Sequence, residues 1–340
     1  MIREMLPLDL IAKAELFLRR RDFEMGVNPT LAEDLDEHLS GLEIRRAAGL
    51  NGLRTGFDDV DRNLGGLAGL TFLGAGTGVG KTCLALAFAA GAMKQNPNLA
   101  VVFVSLEMGK STLIDRLICS QSGVDYRTLL ASNRSSDDDA KIAAGQEVLH
   151  SSLLSRMVIV DRGFDQNTFL SIIQGRIQHF LARGAGNVFV VVDYAQLLPI
   201  AESSHPLEAD ATRIRVLQTI QNWGRSPERA LGFPVLAISE MRKEKLGDFH
   251  VQDLLGSARL GYGADAVLAL EPDEKTSHLD KIRVNLRILK GRDGVRRSTV
   301  AMVFDHQKSS FEEEPLPSVS LSVPPRMPAS SARAPFPGRE

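Results

Sequence analysis

LTFLGAGTGVGKTCLALAFAAGAM, residues 70–93, is the stretch that decides the fold. An apolar run, LTFL, leads into Gly-Ala-Gly-Thr-Gly-Val-Gly-Lys-Thr at 74–82, and a small-residue run of helical length follows. A glycine-rich loop between a strand and a helix aims backbone N–H groups and a helix N-terminus at one point, which makes an anion site. Gly78 and Gly80 let the backbone from Ala75 through Gly76, Thr77 and Val79 wrap phosphate oxygens. Lys81 supplies a mobile cation for the outer phosphates, and the Thr82 hydroxyl can ligate Mg²⁺. The strict pattern has glycine where Ala75 stands, a residue small enough to fit. The residues predict a site for a nucleoside triphosphate with Mg²⁺.

Outward from this loop, short apolar runs alternate with helical stretches. Six runs, at 70–73, 100–105, 157–160, 188–192, 234–238 and 266–270, show no polar alternation, as strands buried on both faces do. Strand alternating with helix predicts an α/β fold with a twisted, mostly parallel sheet flanked by helices. Runs at 284–289 and 300–304 flank a turn-rich stretch, and the first alternates apolar with polar. This pair predicts a C-terminal antiparallel hairpin at the sheet edge. Residues 1–50 read as a short helical arm, with Leu8, Ile11, Ala12, Leu16 and Phe17 on one face and a capping box from Thr30 to Glu33. Residues 51–312 form the main domain, and 313–340 read as a disordered tail, since seven prolines and five serines crowd the last 26 residues.

Composition excludes several classes. The chain has 340 residues, 44% of them hydrophobic and 24% charged, enough for a normal core. Two cysteines, Cys83 and Cys119, support no disulfide framework. No run approaches the ~20 apolar residues of a membrane span, and no leader peptide is read, so the expected location is cytoplasmic. A net charge of -2 argues against coating nucleic acid by bulk charge and leaves room for a local basic groove. No histidine or cysteine has metal-ligand spacing.

Hydrolysis needs a carboxylate on the metal side and a group to orient water. Asp193 ends the run 188–192 and reaches the carboxyl edge of the sheet beside the phosphate loop, which suits the metal side. Glu107, in Ser-Leu-Glu-Met, reaches the same edge and is the candidate to polarise the attacking water. Asp161, after the run 157–160, is a weaker third candidate that also reads as a helix cap.

Seven motifs occur in one order: TGFDDVDRNLGGL (55–67), the phosphate loop, SLEM (105–108), VVVDYAQLL (190–198), SEMRK (239–243), DLLGSARLGYGADAVLAL (253–270) and LKGRDG (289–294). Together they resemble the C-terminal motor domain of DnaB-type replicative helicases, a branch of the RecA-like ATPases, over about residues 50–312. The resemblance implies a RecA-like fold and a homo-oligomeric, hexameric ring that hydrolyses ATP between subunits and translocates on single-stranded DNA. It gives Glu107 the catalytic carboxylate's role, and places Arg116 on the nucleotide and Asp193 on the metal. It also aims Lys290 and Arg292 at the neighbouring subunit's γ-phosphate. Two departures stand out. The family's Ser-Gln is here Ser239-Glu240, which sets a carboxylate where a neutral γ-phosphate sensor belongs. A short arm also stands where the family has a helical collar, so primase docking, which that collar supports, is not carried over by the resemblance.

In such rings the loops at 201–211 and 241–252 face the channel. The second carries Arg242, Lys243 and Lys245, a cationic cluster suited to DNA phosphates, with Phe249 as its single aromatic. The first is acidic, with Glu202, Glu208 and Asp210, and is no phosphate grip. Two other functions fit the same residues: a DNA-bound regulator or loader ATPase without unwinding activity, and a KaiC-like nucleotide-switched assembly protein.

Overall fold

Strand β1 (Leu70–Ala75) is buried along its whole length, and it sits inside a nine-stranded sheet of order β3-β2-β4-β5-β1-β6-β7-β8-β9. The strands are β2 (Leu99–Ser105), β3 (Met157–Val160), β4 (Asn187–Asp193), β5 (Val235–Glu240), β6 (Ala266–Pro272), β7 (Lys281–Lys290), β8 (Ser298–Asp305) and β9 (Ser310–Glu313). The computed structural model describes residues 52–200, 206–225, 231–241, 249–254, 258–273, 280–291 and 295–314, together with 35, 39, 41–43, 46 and 50. Most of the expected N-terminal arm and the tail from 315 lie outside the described residues.

β1 pairs in parallel with both β5 and β6, and β2 with both β3 and β4, so the apolar runs become ladders covered on two faces. Helices α1 (Asp58–Leu64), α2 (Lys81–Gln95), α3 (Lys110–Ser122), α4 (Tyr126–Leu130), α5 (Ser136–Ser152), α6 (Gln166–Ala182), α7 (Pro206–Asn222) and α8 (Ala258–Gly263) connect them. One core layer joins the sheet to α1, α2, α3 and α5, and the other joins it to α6 and α7. Helix α6 shows how sequence produces this. Asp165 accepts from Asn167 and Thr168 N–H groups at its start, and Phe169, Ile173, Ile177 and Phe180 fall on one buried stripe. Burying each such side chain contributes roughly 1.5–3 kcal/mol.

The C-terminal hairpin departs from expectation in one respect. β7 alternates exposed with buried residues and pairs antiparallel with β8, as its sequence predicts. The sheet edge, however, is β9, which pairs antiparallel with β8 and takes in Glu313. Its four residues carry one buried apolar side chain, Phe311, too little to announce a strand. The Glu313 carboxylate accepts from the backbone N–H groups of Asp59 and Val60 at 2.8 and 3.0 Å and caps α1. The expected acidic loop at 201–211 is a helix in its second half: α7 opens at Pro206, and Asp210 is buried against Arg213 at 2.9 Å.

Candidate nucleotide site

Parallel strands end at one edge, and the turns there gather the expected site. Ala75 stands in register with Glu240, and Ser105 with Asp193. Two backbone bonds tie these ends: Leu106 N–H to Asp193 O at 2.7 Å, and Met241 N–H to Ala75 O at 3.1 Å. The phosphate loop leaves β1 at Ala75 and enters α2 at Lys81, with Gly80 at φ 96° as N-cap. Glycine is required at 80 twice over. The φ is left-handed, and a Cβ there would lie 2.6 Å from the ring of Phe304. That ring stacks on Phe311 at 4.4 Å, so β8 and β9 form an aromatic support beneath the loop.

The Lys81 ammonium donates to Ala75 O at 3.1 Å and Gly76 O at 2.8 Å. Burial lowers its pKa, and the Glu240, Asp193 and Glu107 carboxylates push the other way, in that order. The Thr82 hydroxyl donates to Asp193 Oδ2 at 2.7 Å. Asp193 is 1% exposed, and burial raises its carboxyl from 3.8 to about 6 despite the Thr82 bond; Glu107 adds to the rise, while Lys81 and Arg116 oppose it. Glu107 is exposed just beyond β2, so Asp193 and Glu107 differ sharply in their access to solvent.

Arg116, half-buried on α3, lies beside the Cys83 thiol, and so does Ser309. Burial pushes that thiol's pKa up. Asp161 works away from the phosphate loop. Its Oδ2 accepts from Lys110 N–H at 2.9 Å and caps the start of α3. Lys290 also has local partners. Its ammonium donates to the carbonyls of Gly261, Tyr262 and Ala264 at 3.1, 3.0 and 2.7 Å, which places it on the end of α8. Arg292, Arg242, Lys243 and Lys245 lie outside the described residues. The stem of the basic loop is nonetheless defined, because Met241 and Leu254 form an antiparallel bridge. Phe249 is fully buried in the core, which removes it from base stacking.

The sequence assigns no role to some neighbours of the site, although Tyr194 and Gln196 lie within the motif at 190–198. Tyr194, whose hydroxyl pKa is raised by burial and then by Glu240, Glu107 and Asp193, lies among the same carboxylates. Gln196 donates to the Ser239 hydroxyl at 2.7 Å and links the turns after β4 and β5. The β8–β9 turn reaches the Cys83 thiol, in the first turn of α2, through Ser309 only because the fold returns there. Among the described residues no helix is long and apolar enough to cross a membrane, and no group of three or more His, Cys, Asp and Glu could enclose a metal ion. Thr82 and Asp193 do fit Mg²⁺, which takes one or two protein oxygens and fills its shell with phosphate and water.

Residues 52–313 match the family described as DnaB-like helicase C terminal domain. The replicative DNA helicase DnaC of Bacillus subtilis (strain 168) is 26% identical over 277 residues, covering 78% of this chain and 57% of the relative. The replicative DNA helicase DnaB of Geobacillus stearothermophilus is 26% identical over 272 residues, covering 77% and 56%. The chain thus spans little more than half the length of these relatives. Among solved structures, an ATPase domain matches with a TM-score of 0.67 and 25% identity, over 84% of this chain and 98% of that one. A DnaB-like replicative helicase, solved in a study of its interactions with primase, matches at 0.65 and 25%, over 89% and 73%. A KaiC-like protein of Pyrococcus horikoshii OT3, at 0.51 and 18% over 77% and 98%, shares the fold. The architecture is that of a RecA-like ATPase domain.

Proposed function

The chain belongs to the DnaB-like helicase C-terminal domain family, and on that premise we propose that it is an ATP-driven DNA motor. In this reading it hydrolyses ATP at the subunit interfaces of a homo-oligomeric, hexameric ring and moves along single-stranded DNA, separating duplex ahead of it. The observation that carries the proposal is the meeting of Lys81, Thr82, Asp193 and Glu107 at one sheet edge beside a glycine loop.

The chemistry follows from those positions. The loop's N–H groups and the start of α2 orient the phosphates, and Lys81 exchanges its carbonyl partners for phosphate oxygens. Thr82 and Asp193 would hold Mg²⁺, which when bound neutralises phosphate charge. Glu107, exposed where water can reach it, polarises the attacking water. Arg116 lies beside the start of α2 and contacts the nucleotide. Arg292 we assign in trans, to the neighbouring subunit's γ-phosphate, because a guanidinium fork stays charged and meets two oxygens at once. Arg242, Lys243 and Lys245 grip DNA phosphates. The primase contact belongs to the relative and forms no part of this proposal.

A second reading, a DNA-bound regulator without unwinding, is favoured by Glu240, where the family motif carries a neutral sensor. ATPase assays with and without single-stranded DNA, together with strand displacement on a forked duplex, test both. DNA-stimulated turnover with displacement, lost in Lys81→Ala, is the expected result. Stimulation without displacement selects the regulator, and turnover unchanged in Lys81→Ala refutes the site itself.

A further inference from the structure

Three carboxylates face Lys81, and hydrolysis accounts for two of them. Glu240 is the third. It ends β5 directly opposite Ala75, the residue from which the phosphate loop departs. Lys81 folds back onto the carbonyls of Ala75 and Gly76, so strand pairing brings the residue carrying the Glu240 charge to the strand end where the ammonium rests. The side chain is half-buried, at an edge where low polarisability strengthens charge interactions. Of the three carboxylates Glu240 supports the Lys81 charge most strongly. The strand end is also firmly held. Met241 N–H binds Ala75 O, and the space beside Gly74 is filled by Met241 and Leu254. Glu240 therefore cannot swing clear by moving the backbone that carries it.

We propose that Glu240 is a specificity residue for the charge state of the nucleotide, discriminating against di- and triphosphates not complexed with a divalent cation. The proposal rests on reading residues 74–82 as the triphosphate site. A bare nucleotide must take Lys81 from its carbonyl partners and then lie near the negative charge of Glu240. A nucleotide complexed with a divalent cation has two of its charges cancelled and meets much less repulsion. A neutral glutamine at the same place makes no such distinction. The carboxylate thus restricts the site to metal-complexed nucleotide, and after hydrolysis it favours departure of any product that has lost its metal.

The test is ADP binding by calorimetry to the full chain, once in EDTA and once in excess Mg²⁺, for wild type, Glu240→Gln and Glu240→Ala. Circular dichroism and melting curves confirm that the variants fold. In EDTA both variants should bind ADP about tenfold tighter than wild type, as removal of a nearby like charge predicts. In Mg²⁺ that gap should shrink. No gain in EDTA, an equal gain in both buffers, or a gain confined to the glutamine variant would overturn the proposal, the last because it marks a new amide contact and not lost repulsion. Wild type that binds no ADP even in Mg²⁺ would overturn the triphosphate site beneath it.

Discussion

Replacing Lys290 with methionine separates two roles that the residue could perform. Methionine keeps much of the apolar stem and removes the charge and all three donors. In the structure those donors meet three carbonyls: Gly261 and Tyr262 in the last turn of α8, and Ala264 on the way into β6. Gly261 and Ala264 are buried, whereas Tyr262 is exposed and water can replace the ammonium there. Two buried acceptors of a charge-assisted bond are left unsatisfied, at about 1–3 kcal/mol each, so Lys290→Met should cost on the order of 2–6 kcal/mol. For a domain of this size that lowers the melting temperature by roughly 4–24 °C. Urea unfolding followed by the single tryptophan, Trp223, which packs against the α6–α7 core layer, reads this directly. The loss should not depend on protein concentration or nucleotide, because these three carbonyls lie in the same chain. If the variant instead unfolds like wild type while its ATPase collapses, the ammonium acts on a neighbour's phosphate and the carbonyl cap contributes nothing.

Glu107→Gln should preserve nucleotide affinity and remove most turnover, since the amide keeps the shape but cannot draw a proton from water; equal loss of both would make Glu107 a positioning group. Asp193→Asn should stabilise the chain in a chelating buffer at pH 8. The folded carboxyl is raised from 3.8 to about 6, so the cost of its buried charge is absent below 3.8, grows through that window and is complete above it. The gain should approach about 3 kcal/mol at pH 8 and vanish near pH 4. A gain at both pH values, or at neither, refutes that account.

The sequence made the parallel strands legible because burial on both faces leaves no room for polar alternation. The phosphate loop was legible because its chemistry is local, completed within residues 74–82. What escaped was held by distant contacts. Ser310–Glu313 becomes a strand only because β8 offers an edge, and Gly80 faces Phe304 only after the sheet has folded back. Phe249 could be seen as the sole aromatic of a basic loop, yet nothing in the local pattern shows that it inserts into the core. Asp161 and Asp193 both follow apolar strands. Their roles divide because β3 lies at the sheet margin beside the start of α3, whereas β4 ends against Thr82. Lys290 sits on the motif that suggested a partner in another subunit, and only the folded chain shows that its ammonium can also reach the carbonyls at the end of α8.

The inner position of β1 has a consequence for how the chain is made. Translation delivers residues 70–75 early, but their backbone partners are residues 235–240 and 266–270. In the interval a nascent chain holds an apolar strand with two bare edges, joined to an apolar helix with no sheet to cover. Pairing across such separations closes slowly, and it gives a chaperone on the emerging chain a defined segment to shield. Ligand that binds the finished domain then stabilises it by mass action.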